Sequence, residues 1–233
     1  IKNPLTPIKL SAEQLKKKAC SKSNISELNI VEYSEMIIRQ TEVLQRIVDE
    51  FSEFARMPEP QKKVININDL VKSSVLLQKA VYDNIEFNLH LNGLSSNIFG
   101  DSAMLSQALT NLLKNSAESI NSSKNQLINK KKIIGIIDIF TNSNNNFLEI
   151  KIFDTGIGLN NKISNFFEPY VTTKQNGTGL GLAIVRKIIE QHDGSLNLYN
   201  SSTALHKTFN KGVIAVIKLP LILKKDKFHN ENI

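Results

Sequence analysis

Cysteine, arginine and long apolar runs are all scarce in this 233-residue chain. The single cysteine, Cys20, excludes a framework of intrachain disulfides and fits a reducing compartment. No apolar run approaches the roughly 20 residues that a transmembrane helix needs. No signal-peptide pattern opens the chain, although it does not begin with methionine and a leader further upstream stays open. We therefore expect a cytoplasmic protein whose residues make no membrane contact.

The scarcity of arginine also limits what the net charge of +7 can mean. A basic balance can indicate a surface for nucleic acid or lipid. However, only four of the 29 basic residues are arginine, and no aromatic residues are interleaved with the lysines. The lysine clusters "LKKKA", "NKKKI" and "LKKDK" fall at the ends of predicted elements or in polar loops. We interpret the charge as a solvated surface and expect no nucleic-acid partner.

Two amphipathic helical patterns fill the first 57 residues. Apolar residues from Ile1 to Ala19 recur at steps of four and three, which places them on one helical stripe. Residues 29–57 carry two heptad tracks, one through Ile30, Ile37, Leu44 and Phe51 and one through Tyr33, Gln40, Ile47 and Phe54. Such tracks are typical of a bundle seam, and the polar turn between the patterns predicts an antiparallel hairpin. Because a lone hairpin leaves an apolar face uncovered, we expect a homodimer through residues 1–57, as a four-helix bundle.

The prolines of "RMPEP" break the helical pattern and mark a boundary. Beyond it, helices predicted over 69–80, 101–120 and 179–193 are interspersed with strands such as "IEFNLHL" and "FLEIKIFD", and Asp101 is placed as an N-cap. Helices grouped with a mostly antiparallel sheet predict an α/β sandwich of the α+β class. The expected domains are the hairpin over 1–60, the sandwich over 61–222 and a polar tail over 223–233.

Two motifs of the second domain suggest a ligand site. "FDTGIGL" ends a strand in Asp154 and continues through Gly156 and Gly158, so that the backbone can approach a flat ligand while the carboxylate accepts a hydrogen bond from an exocyclic amine. "NLLKN" sets Asn111 and Asn115 one helical turn apart, and amide oxygens suit Mg²⁺ held together with phosphates and waters. Taken alone, the first motif also fits a tight turn, and the second fits two exposed asparagines.

A third motif, "NGTGLGLAIV", runs glycines directly into a predicted helix, whose free N–H groups and positive end favour a phosphate. It is not a Walker loop, because no Lys-Ser/Thr follows the last glycine, and no parallel βαβ pattern surrounds it as in a Rossmann unit. A glycine loop that permits close packing is the alternative. The segment before it, "FFEPYVTTK" (166–174), is aromatic and then polar, and could cover a nucleotide.

In this order the motifs resemble the N box, first glycine box, F box and second glycine box of the GHKL ATP-binding fold, in its sensor histidine kinase branch. The opening "IKNPLTPIKLSAEQL" resembles the H box of those kinases, most closely of the NtrY-type nitrogen-regulation sensors. The resemblance covers nearly the whole chain, and the combination is specific although each motif alone is not. It implies the cytoplasmic catalytic core of a two-component sensor histidine kinase, whose family members are usually anchored in the membrane by upstream segments.

The resemblance also implies the cofactors ATP and Mg²⁺ and a set of site residues. Asn115 would be the metal ligand, with Asn111 nearby as a catalytic residue on water or metal, and Asp154 would accept the adenine amine. The other residues expected to bind the nucleotide are Gly156, Gly158, Phe167, Lys174, Gly177, Thr178, Gly179, Leu180 and Gly181. The phosphoryl group would pass to a histidine and then to an aspartate of a response-regulator receiver domain, the expected partner.

The phosphoacceptor histidine itself is absent from the chain. In the family the H box reads His-Glu-apolar-Lys-Asn-Pro-Leu-Thr-Pro, which places that histidine two positions before Ile1 and makes Pro4 internal to a helix expected to bend there. None of His90, His192, His206 and His229 stands in a similar context. We attribute the missing histidine to a shortened sequence rather than to loss of the pathway.

Asn3 matches the position where this family uses Asn or Thr to orient water for dephosphorylating the regulator. The alternative function is a truncated or degenerate module that dimerises, binds ATP and docks a regulator without autophosphorylation. A GHKL chaperone or mismatch-repair ATPase fits less well, because the H-box string and the heptad hairpin precede the ATP domain.

Overall fold

The computed structural model describes residues 2–20, 27–92, 96–122, 134–144, 146–160, 165–172, 174, 177–201 and 212–222. It divides into two compact units. The smaller unit combines Ile1–Met57 with Pro169–Leu180, and the larger unit combines Pro58–Glu168 with Gly181–Ile233. Among the described helices of both units, none has the length and apolarity that crossing a bilayer requires.

The smaller unit is built on two helices, α1 (Lys2–Cys20) and α2 (Glu27–Ala55), which pack along one another. Ser11, buried on α1, donates from Oγ to Met36 Sδ on α2 at 3.1 Å. Since these two residues lie at equal distances from the connection, the helices run antiparallel. Pro7 lies inside α1. The formation of a four-helix bundle by two chains stays a prediction.

The heptad positions of α2 divide into half-buried and exposed residues within one chain. Ile37, Leu44, Ile47 and Phe54 are half-buried, whereas Ile30 and Phe51 are 43% and 46% exposed. Large apolar side chains that stay this accessible are expected where a further helix covers them.

The larger unit is an α/β sandwich. Its described elements are β1 (Lys63–Asn66), α3 (Ile67–Val81), β2 (Ile85–Leu91), β3 (Asn97–Gly100), α4 (Ser102–Ser122), β4 (Gly135–Ser143), β5 (Phe147–Asp154), α5 (Gly181–Gln191), β6 (Ser195–Asn200) and β7 (Val213–Pro220). A mixed sheet runs in the order β2-β4-β5-β7-β6, and β1 pairs with β3 separately. The β2–β4 pair is parallel and the other pairs are antiparallel.

The core of this unit lies between the sheet and the helices α3, α4 and α5. Along β5, Ile150 and Ile152 are buried, and α4 contributes an apolar face that includes Ala108, Leu112 and Ile120. This face repeats at steps of three and four residues, as the sequence of α4 predicts. Polar residues of α4 lie along the edge of this apolar face, and the candidate site lies at that edge.

Helix ends differ from the predicted bounds where a local interaction decides them. Helix α3 begins at Ile67 because the Asn66 side chain caps it, accepting from the N–H groups of Asn68 at 2.9 Å and Asp69 at 3.4 Å. Helix α5 is shorter than the predicted 179–193, because Gly179 has φ of 73° and Asp193 has φ of 56°, both outside the helical region. The N-cap role of Asp101 is confirmed, since its Oδ1 accepts from two N–H groups at the start of α4.

Buried His192 ties the end of α5 to the start of α4. Its Nε2 accepts the backbone N–H of Asp101 at 2.9 Å, and its Nδ1 lies 2.7 Å from the carbonyl oxygen of Ile188, to which it donates. Burial lowers the pKa of His192 below its ordinary value. Gln61 and Lys62 are held at the same helix ends. Gln61 N–H donates to Asp101 Oδ2 at 2.8 Å, and Lys62 Nζ pairs with Asp193 at 3.0 Å.

Replacing Leu44 by lysine is expected to produce monomers, because a dimer seam through α2 would then have to bury an unpaired ammonium group. Light scattering should give the mass of two chains for the unaltered protein and of one chain for the variant. Glu42→Lys places a lysine at an exposed position outside the heptad tracks and should leave the dimer intact. An unaltered protein that stays monomeric at high concentration would contradict the predicted dimer.

Candidate functional site

Asp154 is the last residue of β5, and the residue is only 3% exposed. Oδ1 accepts the N–H of Gly156 at 2.9 Å and the N–H of Val213 at 3.3 Å, and Ser116 on α4 also forms a hydrogen bond with the carboxylate. Burial raises the pKa of Asp154 to about 6, against the lowering effect of these bonds. The larger unit therefore holds a fixed, buried carboxyl group with a strong tendency to accept hydrogen bonds.

The turn after Asp154 is packed tightly against helix α4. A Cβ atom at Gly156 would lie 2.1 Å from Ser119 Oγ and 2.9 Å from Asp154 Oδ1, so only glycine fits. The next residue confirms the contact, since Ile157 N–H donates to Ser119 Oγ at 3.1 Å. Gly158 has φ of 82°, and Leu159 N–H after it donates to Asn200 Oδ1 at 2.6 Å. This turn is accordingly tied to both α4 and β6.

Asn111 and Asn115 lie on the half-buried border of α4, on the same helical stripe as Ser119. A Cβ at Gly181, the first residue of α5, would be 3.9 Å from Asn115 Nδ2. In the larger unit, Asn115 of α4 therefore lies beside Gly181. One turn further along the same helical stripe, Ser119 contacts the turn that follows Asp154.

Phe167 is half-buried, and the guanidinium carbon of Arg186 on α5 lies 5.4 Å from the centre of its ring. This distance is within the range of a cation–π contact. Arg186 also donates from Nε to Glu190 Oε1 at 2.7 Å. Phe167 is thus held against α5.

The remaining expected nucleotide contacts lie in residues 169–180, here called the lid, which belong to the smaller unit. Tyr170, with φ of 67°, donates its N–H to the carbonyl oxygen of Gly179 at 3.1 Å. A Cβ at Gly179 would lie 2.6 Å from the carbonyl carbon of Tyr170, so this closure also requires glycine. The two ends of the lid therefore meet.

Between these ends, the lid has its own hydrogen bonds and contacts with α2. Gly177 N–H donates to Lys174 O at 3.2 Å, and the N–H of buried Leu180 donates to Thr178 Oγ1 at 3.3 Å. The Thr178 hydroxyl in turn donates to Glu50 Oε2 on α2. Residues 173, 175 and 176 of the lid and the side chain of Asn3 lie outside the described part of the chain.

Several residues of this site were not predicted from the sequence. Ser116 forms a hydrogen bond with Asp154, Ser119 Oγ accepts the N–H of Ile157, and Thr155 Oγ1 accepts the N–H of Ile136 at 3.0 Å. The spacing of four residues from Asn111 to Asn115 to Ser119 is a signal that could have found Ser119. Glu50 gives no such signal, because its contact with the lid joins residues 128 positions apart.

Comparison with known proteins finds a protein-family model that matches the part of the chain carrying these residues. The model of the histidine kinase-, DNA gyrase B- and HSP90-like ATPases matches residues 100–223, more than half of the chain. The chain belongs to this ATPase family. The predicted resemblance to GHKL-type ATP-binding domains is therefore confirmed.

Within the ATPase family, the chain is similar to sensor histidine kinases. It is 40% identical over 199 residues to the nitrogen regulation protein NtrY of Azorhizobium caulinodans, covering 85% of this chain and 25% of that protein. It is 35% identical over 222 residues to the putative sensor histidine kinase NtrY-like of Rickettsia prowazekii, covering 95% of this chain and 34% of that protein. The chain thus spans about a quarter to a third of these relatives, and its likeness to NtrY-type sensor kinases is confirmed.

Solved histidine kinases share the fold of the ATPase family. The catalytic domain of histidine kinase ThkA superposes with a TM-score of 0.57 at 24% identity, covering 69% of this chain and 96% of that one. ThkA in complex with the response regulator protein TrrA superposes with a TM-score of 0.68 at 22% identity, covering 95% of this chain and 58% of that one. The α/β sandwich with a mixed sheet is therefore the fold that these kinases use.

Replacing Asp154 by asparagine is expected to stabilise the nucleotide-free protein at pH 8. The folded protein binds this proton more tightly than the unfolded chain does, so the stability that the group contributes is present below pH 4 and is lost as the pH rises to about 6. A pKa raised from 3.8 to about 6 corresponds to up to about 3 kcal/mol, which the neutral amide avoids. Urea unfolding at pH 5 and pH 8 measures the gain.

The exposed Asp83→Asn variant is the matched control, because it makes the same substitution in contact with water. It should change the free energy of unfolding little at either pH. A loss of stability at pH 8 in Asp154→Asn would show that the ionised carboxylate is not the destabilising group.

Proposed function

We propose that this chain is the ATP-binding catalytic core of a two-component sensor histidine kinase. It would bind ATP with Mg²⁺ and deliver a phosphoryl group to a histidine that this chain lacks, from which the group passes to an aspartate of a response regulator. The observation that carries the proposal is the buried Asp154 carboxylate, fixed beside a turn where only glycine fits. A buried acceptor next to bare backbone suits a flat base with an exocyclic amine.

Asp154 would accept the adenine amine. Two of its hydrogen bonds come from backbone N–H groups to Oδ1, and the carboxylate has further acceptor positions for a ligand. Gly156 and Gly158 would let the base approach the backbone, since side chains there would fill or strain the turn. Phe167, held on α5, would contribute an apolar contact to the nucleotide.

The asparagines of α4 and the glycines before α5 would hold the charged end of the ligand. The amide oxygen of Asn115 is a suitable ligand for Mg²⁺, and Asn111, one turn earlier, would bind the metal or its water. The first residue of α5 lies beside Asn115, so the positive helix end is close to this amide. The remaining proposed phosphate contacts are Lys174, Gly177, Thr178, Gly179, Leu180 and Gly181.

Catalysis by this chain would consist of binding and orientation. Bound ATP supplies the phosphoryl group, and Mg²⁺ supplies charge that offsets its oxygens. Asp154 and the glycine turn would orient the base, while Asn111 and Asn115 would orient the phosphates for transfer to the acceptor histidine. Positioning of the reactants and the charge of the metal supply most of the acceleration in such transfers.

The proposed assembly is a cytoplasmic homodimer through residues 1–57 that docks a receiver domain. The printed title of the ThkA structure names a response regulator bound to that kinase, which supports the same class of partner here. Asn3 would orient water for dephosphorylating the regulator. The proposed domains remain a hairpin over 1–60, an ATP domain over 61–222 and a tail over 223–233, although the lid segment packs with the hairpin in this structure.

Asp154→Asn is expected to weaken ATP binding by roughly 1–3 kcal/mol, because the amide offers the adenine amine a poorer acceptor and a competing donor. Calorimetry with ATP and Mg²⁺ measures the loss, and Asp83→Asn again serves as the control. Equal affinity in the unaltered protein and Asp154→Asn would exclude the adenine assignment.

Labelling with radioactive ATP tests phosphoryl transfer. The chain alone should retain no acid-labile phosphate, and a version extended upstream by the His-Glu segment should become labelled. Asn115→Ala in the extended version should abolish labelling by removing the metal ligand. Strong labelling of the present chain would refute the H-box alignment. An extended version that binds ATP without labelling would instead favour the degenerate module.

A further inference from the structure

Glu50, near the end of α2, holds a lid residue that the proposed function gives to the phosphates. The Thr178 hydroxyl donates to Glu50 Oε2, and both residues belong to the smaller compact unit. A threonine hydroxyl has a single proton to donate. While Thr178 donates to Glu50, it cannot donate to a phosphate oxygen of a nucleotide.

The next residue of α2 holds the lid at a second point. The ring of Phe51 lies 6.4 Å from the ring of Tyr170, and the two planes are inclined by 28°. Tyr170 closes the lid through its N–H bond to Gly179, one residue after Thr178. Two consecutive residues of α2 therefore contact lid residues near both of its ends, one by a charge-assisted hydrogen bond and one by stacking.

The charge of Glu50 gives its contact with Thr178 a consequence for the binding of anions. A carboxylate and a phosphate are both anionic acceptors that use the same donors. Glu50 therefore occupies the hydroxyl of Thr178 and also brings a negative charge to the glycine-rich segment, which would repel a second anion.

We infer that Glu50 is a built-in competitor of the nucleotide phosphates for the lid. Glu50 and Phe51 of α2 hold the lid, and ATP binds fully only after Thr178 has left Glu50. A change in α2 that withdraws Glu50 raises the affinity for ATP, and bound ATP favours release by the same factor. This competition rests on the proposed function, whereas the hold of α2 on the lid does not.

Trypsin cleavage after Lys174 tests the hold without any nucleotide. Lys174 lies in the sequence between the two lid residues that α2 contacts, so release of those contacts is expected to speed cleavage there. Glu50→Gln keeps the shape of the side chain and removes its charge, so cleavage at this bond should become several-fold faster. Glu42→Gln, an exposed position on the same helix, should cleave at the rate of the unaltered protein. Equal rates in Glu50→Gln and Glu42→Gln would overturn the inference.

Calorimetry with ATP and Mg²⁺ tests the competition. If the lid is held nine-tenths of the time, release raises the apparent affinity about tenfold, and Glu50→Gln should show that gain. Adenosine lacks phosphates, so its affinity should not change. Thr178→Val should also speed cleavage at Lys174, but it should not tighten ATP binding, because the phosphate donor is lost as well.

The outcomes separate the inference from the proposed function. Unchanged or weaker ATP binding in Glu50→Gln, in a protein that does bind ATP, overturns the competition. If neither the unaltered protein nor any variant binds ATP, the proposed function fails and the competition fails with it. Faster cleavage in Glu50→Gln would in that case still support the hold of α2 on the lid.

Discussion

The candidate site depends on one interaction, the enclosure of the Asp154 carboxylate at the end of β5. A carboxyl group this deeply buried needs hydrogen bonds, and it receives them from Gly156 and Val213 and from Ser116 on α4. Those partners require the turn to touch α4, and that contact leaves no room for a side chain at Gly156. The sheet, the helix and the glycine turn are thus fixed together by a single polar group.

Local signals in the sequence predicted the parts of the molecule that neighbouring residues decide. The cap at Asp101, the amphipathic face of α4 and the strand ending in Asp154 each follow from residues a few positions apart. The fold class followed from the grouping of predicted helices with strands, and the resemblance to the ATPase family followed from the order of the motifs. Strand β3 was missed because it is only four residues long, which is too short for an alternation of apolar and polar residues to be recognised.

Contacts between distant residues could not be predicted in the same way. Ser116 contacts Asp154 only because α4 packs against the end of β5. The two residues are far apart in the sequence, so no helical or strand periodicity relates them. The bounds of α5 depend on the backbone of Gly179 and Asp193, whose positive φ angles arise from the closures around them. Glu50 lies outside both heptad tracks of α2, and no residue near it in the sequence indicates its contact with the lid.

The bonding of His192 has a chemical consequence for the histidines of this chain. Phosphorylation of an imidazole needs a nitrogen with an available lone pair and an open path for the incoming phosphorus atom. In His192, Nε2 accepts from Asp101, Nδ1 donates to Ile188, and the side chain is buried. This histidine is therefore closed to electrophiles as long as the ends of α4 and α5 remain joined.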